Sequence, residues 1–113
     1  KINEGCGARA SEDPQLEAFR ADCIDCLHRQ AGRVRFLVSE EIGHSNFELY
    51  AAGSVVDPTK FSDSSDVDMA VVAQPALTNE TVMTLRRKLC WGFTFGALDV
   101  VSSDKAAPDW IKL

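Results

Sequence analysis

A chain of 113 residues can build one hydrophobic core and is too short for two, so a single domain is expected. Apolar residues make up 45% and charged residues 26%, an ordinary globular balance with no run near the ~18 apolar residues of a membrane helix. A net charge of −5 argues against direct nucleic-acid binding, which relies on Lys and Arg to neutralise phosphates.

Residues 1–12 hold two glycines and mixed charge without periodicity, and read as a flexible N-terminal tail before a domain over 13–113. No signal-peptide pattern opens the sequence, and Lys1 in place of an initiator Met suggests that the true start is missing or processed. Asp13-Pro14 marks a helix start, with Asp13 as N-cap and Pro14 at the first helical position. Leu16, Phe19, Cys23, Leu27, Ala31 and Val34 then recur at steps of three and four, the apolar stripe of a helix. Glu17, Arg20, Asp22, Asp25 and Arg29 fall off that stripe and read as a solvated face. Gly32 is a candidate bend within the helix, and Gly43, after Ile42, is its expected stop.

The cysteines are Cys6, Cys23, Cys26 and Cys90. Cys23-x-x-Cys26 followed by His28 invites a zinc reading, but a second ligand pair at usable spacing is missing. Three residues apart on a helix, Cys23 and Cys26 share a face, and a packing role is expected. The expected compartment is the reducing cytoplasm.

Two apolar runs, Phe47–Ala52 and Val67–Ala73, read as strands. The first ends in Gly53-Ser54 and the second opens with Asp66-Val67-Asp68. Side chains alternate along a strand, so Asp66 and Asp68 project to one side while Val67 and Met69 project to the other. Two ionised carboxylates held so close repel each other. A hard divalent cation such as Mg²⁺ removes that conflict and keeps positions open for water or nucleotide phosphates. Gly53 suits a close backbone approach, and Ser54 offers a hydroxyl and an N–H to a phosphate. Lys60 is the one cation in the connection Val55–Ser65; it is a candidate phosphate ligand whose default role is a solvated loop lysine.

Gln74-Pro75-Ala76-Leu77 then makes a turn, and Thr78 or Asn79 caps a helix with the stripe Val82, Leu85, Leu89 and Phe93. Arg86, Arg87 and Lys88 sit in its C-terminal half, where the helix dipole favours cations. Gly92 and Gly96 end that helix and lead to a third strand, Leu98–Ser102, which carries Asp99. Residues 104–108 form a linker, and Asp109-Trp110-Ile111 is expected to open a final helix. The order of elements is α/β, a small mixed β-sheet flanked by helices.

Gly53-Ser54, the eleven residues Val55–Ser65 and then Asp66-Val67-Asp68 form a pattern. It resembles the signature of the nucleotidyltransferase superfamily with the polymerase-beta-like fold. Within it, the nearest likeness is to the minimal nucleotidyltransferases, small domains often encoded beside a HEPN-domain protein. The resemblance spans roughly residues 36–104. Ser65 directly precedes Asp66, as the family pattern favours, and Asp99 stands where the family has its third carboxylate. It implies Asp66, Asp68 and Asp99 as catalytic and metal-binding residues for two Mg²⁺ or Mn²⁺ ions. ATP would be held through Gly53, Ser54, Ser65 and Lys60. A short helix is implied directly after the Gly-Ser; relatives often carry one or two arginines there, whereas this chain has Val55, Val56 and Asp57.

Characterised relatives transfer AMP from ATP to a tyrosine of a HEPN ribonuclease toxin. The implied role is therefore that of an antitoxin acting by AMPylation on an all-helical HEPN partner. An acceptor supplied by another protein also fits a chain too short to carry its own acceptor-binding half. Two alternatives stand beside this one: a non-enzymatic antitoxin that inhibits by binding, and a small-molecule nucleotidyltransferase of the aminoglycoside-modifying kind. A homo-oligomer is compatible with all three.

Overall fold

The computed structural model describes residues 13–62, 66–89 and 98–113. The tail expected over 1–12 lies outside these residues, as do Cys6, Ser65, Cys90, Gly92, Phe93 and Gly96. Helix α1 runs over Pro14–Ile42. Asp13 Oδ1 accepts from the N–H groups of Gln15 and Leu16 at 3.0 and 3.2 Å, satisfying two donors that the first turn leaves without helical partners. At the other end Gly43 adopts φ 83° and donates to the Ser39 carbonyl at 2.8 Å. Both ends are thus set by local chemistry. The helix is not split at Gly32 and runs through it unbroken.

Strands β1 (Phe47–Ala52), β2 (Val67–Ala73), β3 (Leu98–Ser103) and β4 (Ile111–Lys112) form one sheet in the order β3-β2-β1-β4. β1 is antiparallel to β2 and β4, and β2 is parallel to β3, so the sheet is mixed. Helix α2 spans Asn79–Lys88, with Thr78 as its cap, Leu89 closing it and 90–97 outside the described residues. The chain is α/β, a small mixed sheet flanked by helices, an arrangement consistent with the polymerase-beta-like fold.

Alternation along the strands decides what faces the helices. Phe47, Leu49, Met69, Val71 and Val100 pack with Val34 and Val38 of α1, with Val82 and Leu85 of α2 and with Leu89 at its end. Nearer the start of α1, Cys23, Cys26 and Leu27 pack on Ala51, Val55, Phe61 and Val67. Both helices therefore cover the same face of the sheet. Asp68, Ala70 and Val72 alternate to the other face, as Asp99 does on β3. No helix among the described residues is long and apolar enough to cross a membrane.

The final helix expected from Asp109 is a correction: Ile111–Lys112 is a strand instead. Tyr50 pairs with Lys112 and Ala51 with Ile111, and the Leu113 N–H donates to the Leu49 carbonyl at 2.9 Å. The unpaired edge of β1 offers backbone hydrogen bonds that a one-turn helix would leave unmade. Trp110 settles beside Tyr50, with ring centroids 6.1 Å apart.

Cys23 and Cys26 are each 1% exposed and both are free thiols. Burial first, then the charges of Cys26 and Asp22, push the Cys23 thiol up to about 11. At pH 8 the thiolate that an alkylating reagent needs is accordingly scarce. We expect peptide mass mapping to find neither cysteine alkylated in the folded chain and both alkylated after denaturation. Changing both to Ala should lower stability by about 1–3 kcal/mol in denaturant melts through lost packing. Stoichiometric zinc that the double variant loses would contradict this.

Candidate active site

β1 and β2 bring the two halves of the motif together. Their register pairs Ala52 with Asp68, so Gly53, one residue beyond, arrives beside the Asp68 side chain. Gly53 has φ 74°, in the left-handed region that glycine enters without steric penalty. An ideal Cβ placed there would lie 2.8 Å from Asp68 Cγ and closer still to Oδ2. The glycine is therefore a cradle for this carboxylate. A side chain at position 53 would fill it.

From Gly53 the backbone turns through a short 3₁₀ helix, Gly53–Val56, as the resemblance implied. The Ser54 carbonyl accepts from the Asp57 N–H at 3.0 Å, and the Ser54 side chain is half-buried. Arg20 on α1 anchors this turn by donating from Nη1 to the Val55 carbonyl at 2.8 Å. Its other face pairs with Glu17 at 2.6 Å, leaving the arginine side chain only 16% exposed. The solvated-face reading of Arg20 is corrected accordingly, while its partner Glu17 keeps a side chain 37% exposed. Arg20 lies one turn before Cys23, on the flank of the buried stripe, so its head reaches the loop while its stem stays against the helix.

The remainder of the connection is tied down as well. Asp57 accepts from the N–H and hydroxyl of Thr59 at 3.0 and 2.6 Å, which holds its carboxyl below the usual range. Phe61 is buried, with its ring 5.8 Å from that of Phe19. Lys60 is the exception, with a side chain 76% exposed and Nζ 4.0 Å from Asp57 Oδ2. Ser65 lies outside the described residues.

The third carboxylate joins through the parallel pair. β2 and β3 place Asp68 opposite Asp99, so both project from neighbouring strands on the face away from the helices. Asp66 is exposed just ahead of β2. Burial, then the charges of Asp99 and Asp66, push the Asp68 carboxyl above its ordinary value, with Arg86 opposing them. That direction is the mark of crowded like charges in partial shelter from water.

Arg86 is the site residue that the sequence reading missed. Its Nε lies 2.8 Å from Asp99 Oδ1, and its Nη2 donates to the Val100 carbonyl at 3.0 Å. The helix dipole favours the basic cluster as a whole but does not account for a specific pairing of Arg86 with Asp99. The available signal was spacing: Arg86 lies one turn beyond Val82 and three residues before Leu89, on the face that packs toward the sheet.

Among the described residues, no three His, Cys, Asp or Glu side chains are already gathered about one point as a metal cage. Asp99 is turned to Arg86 and to its neighbour's backbone, the Val100 N–H donating to Oδ1 at 3.0 Å. The donor set nonetheless suits a hard divalent cation. It offers carboxylate oxygens only, one of them sheltered, crowded by like charge and seated on a glycine. Two clefts, of about 340 and 420 Å³, lie elsewhere and are not lined by Asp66, Asp68 or Asp99 among the described residues.

No family model matches the chain, and no curated protein or solved structure does so either. Function is therefore inferred from the residues and their geometry.

Proposed function

We propose that the chain is a metal-dependent nucleotidyltransferase that moves AMP from ATP onto a hydroxyl. The proposed acceptor is a tyrosine of an all-helical HEPN ribonuclease partner that the transfer silences. The observation that carries the reading is the register that sets Gly53, Asp68 and Asp99 side by side across three strands. A Mg²⁺ or Mn²⁺ pair held by Asp66, Asp68 and Asp99 would neutralise the triphosphate and lower the pKa of the acceptor hydroxyl.

The chain's own groups then have distinct tasks. Ser54, at the start of the 3₁₀ turn, would offer its hydroxyl and N–H to the terminal phosphates. Asp68, fixed over Gly53, holds a cation in one position rather than following it. Asp99 takes the proton of the acceptor hydroxyl as its oxygen attacks the α-phosphorus, and the bond to the pyrophosphate oxygen breaks. No cysteine is required for this chemistry. Cys23 and Cys26, on the buried face of α1 and free, fit the reducing cytoplasm as the compartment.

A second reading is supported by Val55, Val56 and Asp57, which stand where relatives often carry arginines: an antitoxin that inhibits its partner by contact alone. Incubation with ATP labelled at the α-phosphate, with and without the partner, separates the two. Transfer predicts label on the partner in Mg²⁺ and none in EDTA, since three carboxylates in a chain of net charge −5 repel a bare triphosphate. A partner that is bound and inhibited without acquiring label would favour the contact reading.

A further inference from the structure

Arg86 is the feature of the site to which the proposed chemistry gives no task. Its two contacts, to the Asp99 carboxylate and to the Val100 carbonyl, fall on adjacent residues of β3 and fix the guanidinium plane. Asp99 Oδ1 accepts from the Val100 N–H and forms the ion pair with Arg86 Nε, so one of its two oxygens is already engaged. Neighbouring cations of the same turn go elsewhere: Lys88 pairs with Glu41 at 2.8 Å, and Arg87 donates to Thr84 Oγ1 at 3.3 Å. Because Asp99 stands opposite Asp68, the guanidinium places its positive charge at the corner where the third carboxylate would meet a cation.

We propose that Arg86 is a positioning residue, the resident counter-ion of Asp99: the chain alone takes a divalent ion at Asp66 and Asp68, and Asp99 joins only when the guanidinium withdraws. This rests on the metal-dependent reading above. Exposure makes such a guard reversible. The Arg86 and Asp99 side chains are 46% and 40% exposed, and ion pairs in that setting are worth only about 0–1 kcal/mol. A bound nucleotide, bringing further negative charge, would have little to overcome in drawing the arginine off. Until then the chain withholds part of its acidic site from free divalent ions.

Mn²⁺ binding to the full chain without nucleotide, followed by electron paramagnetic resonance of the free ion, tests this. The parent should bind Mn²⁺ in a manner that Asp68→Asn weakens. Arg86→Gln should tighten binding about two- to fivefold, the equivalent of releasing an exposed ion pair. Arg86→Lys, which keeps the charge, should return affinity to within about twofold of the parent. In an Asp99→Asn background, Arg86→Gln should bring no further gain, because the group it frees is gone. Melts in EDTA verify that each variant is folded, and Arg86→Met, which removes the charge but keeps an apolar stem and should tighten binding as Arg86→Gln does, carries the test if Arg86→Gln is not.

Equal affinity in the parent and Arg86→Gln, with the Asp68 dependence intact, would overturn the role of Arg86 and leave the metal site standing. So would a gain that persists without Asp99, which would mark a general charge effect. A lysine variant as tight as the glutamine one would likewise remove the counter-ion role. Mn²⁺ binding that is absent from the parent, or indifferent to Asp68→Asn, would overturn the metal reading and this inference with it.

Discussion

Asp68→Asn should lower AMP transfer by about 10²–10³-fold or more while leaving the fold and the partner contact in place. The change is nearly isosteric, but it removes a charge that neither Asp66 nor Asp99 can replace, because only Asp68 is seated on Gly53. Positioned electrostatic groups of this kind contribute roughly 3–4 kcal/mol to transition-state stabilisation, which sets the size of the loss. In the metal-free chain the same substitution should act in the opposite direction and stabilise the protein at neutral pH. Asp68 is partly dehydrated and crowded by two like charges, and its carboxyl is raised in the fold.

The sign of the pH dependence follows from that direction. A carboxyl with a raised folded pKa binds its proton more tightly in the native state than in the unfolded one. Its stabilising contribution is complete below the unfolded value, about 4, and is lost as pH rises through the higher folded value. Asn has no such dependence. Melting temperatures in EDTA should therefore favour Asp68→Asn near pH 7, with the gap closing toward pH 4. A gap that does not change with pH would mean that neither burial nor the neighbouring carboxylates raise Asp68. Undiminished neutralisation of the partner by Asp68→Asn in cells would mean that the aspartates are not the mechanism.

What was legible in the sequence is what local chemistry decides. Both ends of α1 could be read because Asp13-Pro14 and Gly43 act within a turn of where they stand. β1 and β2 were visible because each apolar run is long enough to show its character, and their bounds coincide with the observed strands. β3 was visible too, one residue shorter than observed. β4 was not. Two residues carry no period, and Ile111–Lys112 is a strand only because the free edge of β1 lies alongside.

The acidic site divides in the same way. Strand alternation singled out Asp66 and Asp68 and the family resemblance pointed to Asp99, but their relation depends on strand register, which no local pattern states. Arg20 and Arg86 show the limit most clearly. Each flanks a buried stripe, where the helical period alone cannot say whether a long side chain turns to water or reaches back over the sheet. In both, the deciding partner is a strand or loop many residues away: Val55 for Arg20, Asp99 for Arg86.

Gly53→Ala should be the most damaging single-atom change in the motif. Two effects combine there and can be measured separately. The first is conformational: at φ 74° an L residue is disfavoured by about 1–2 kcal/mol whatever surrounds it. The second is steric, because the new methyl group falls within the Asp68 carboxylate, 2.8 Å from Cγ. Either the turn or the aspartate must move. A displacement of about 1 Å in a catalytic group can reduce rate by about 10²-fold, so transfer should fall at least that far. Denaturant melts of a double-mutant cycle with Asp68→Ala divide the stability loss. Asp68→Ala removes the carboxylate and leaves a Cβ 3.1 Å from the new methyl, a tight contact that small shifts can relieve. Gly53→Ala should therefore destabilise the parent chain by about 0.5–3 kcal/mol more than it destabilises the Asp68→Ala variant, the usual coupling between residues in contact. Only the conformational part should remain when Asp68 is absent. Strictly additive losses would show that the carboxylate does not rest on the glycine. The close approach that joins the two halves of the motif would then have to be given up.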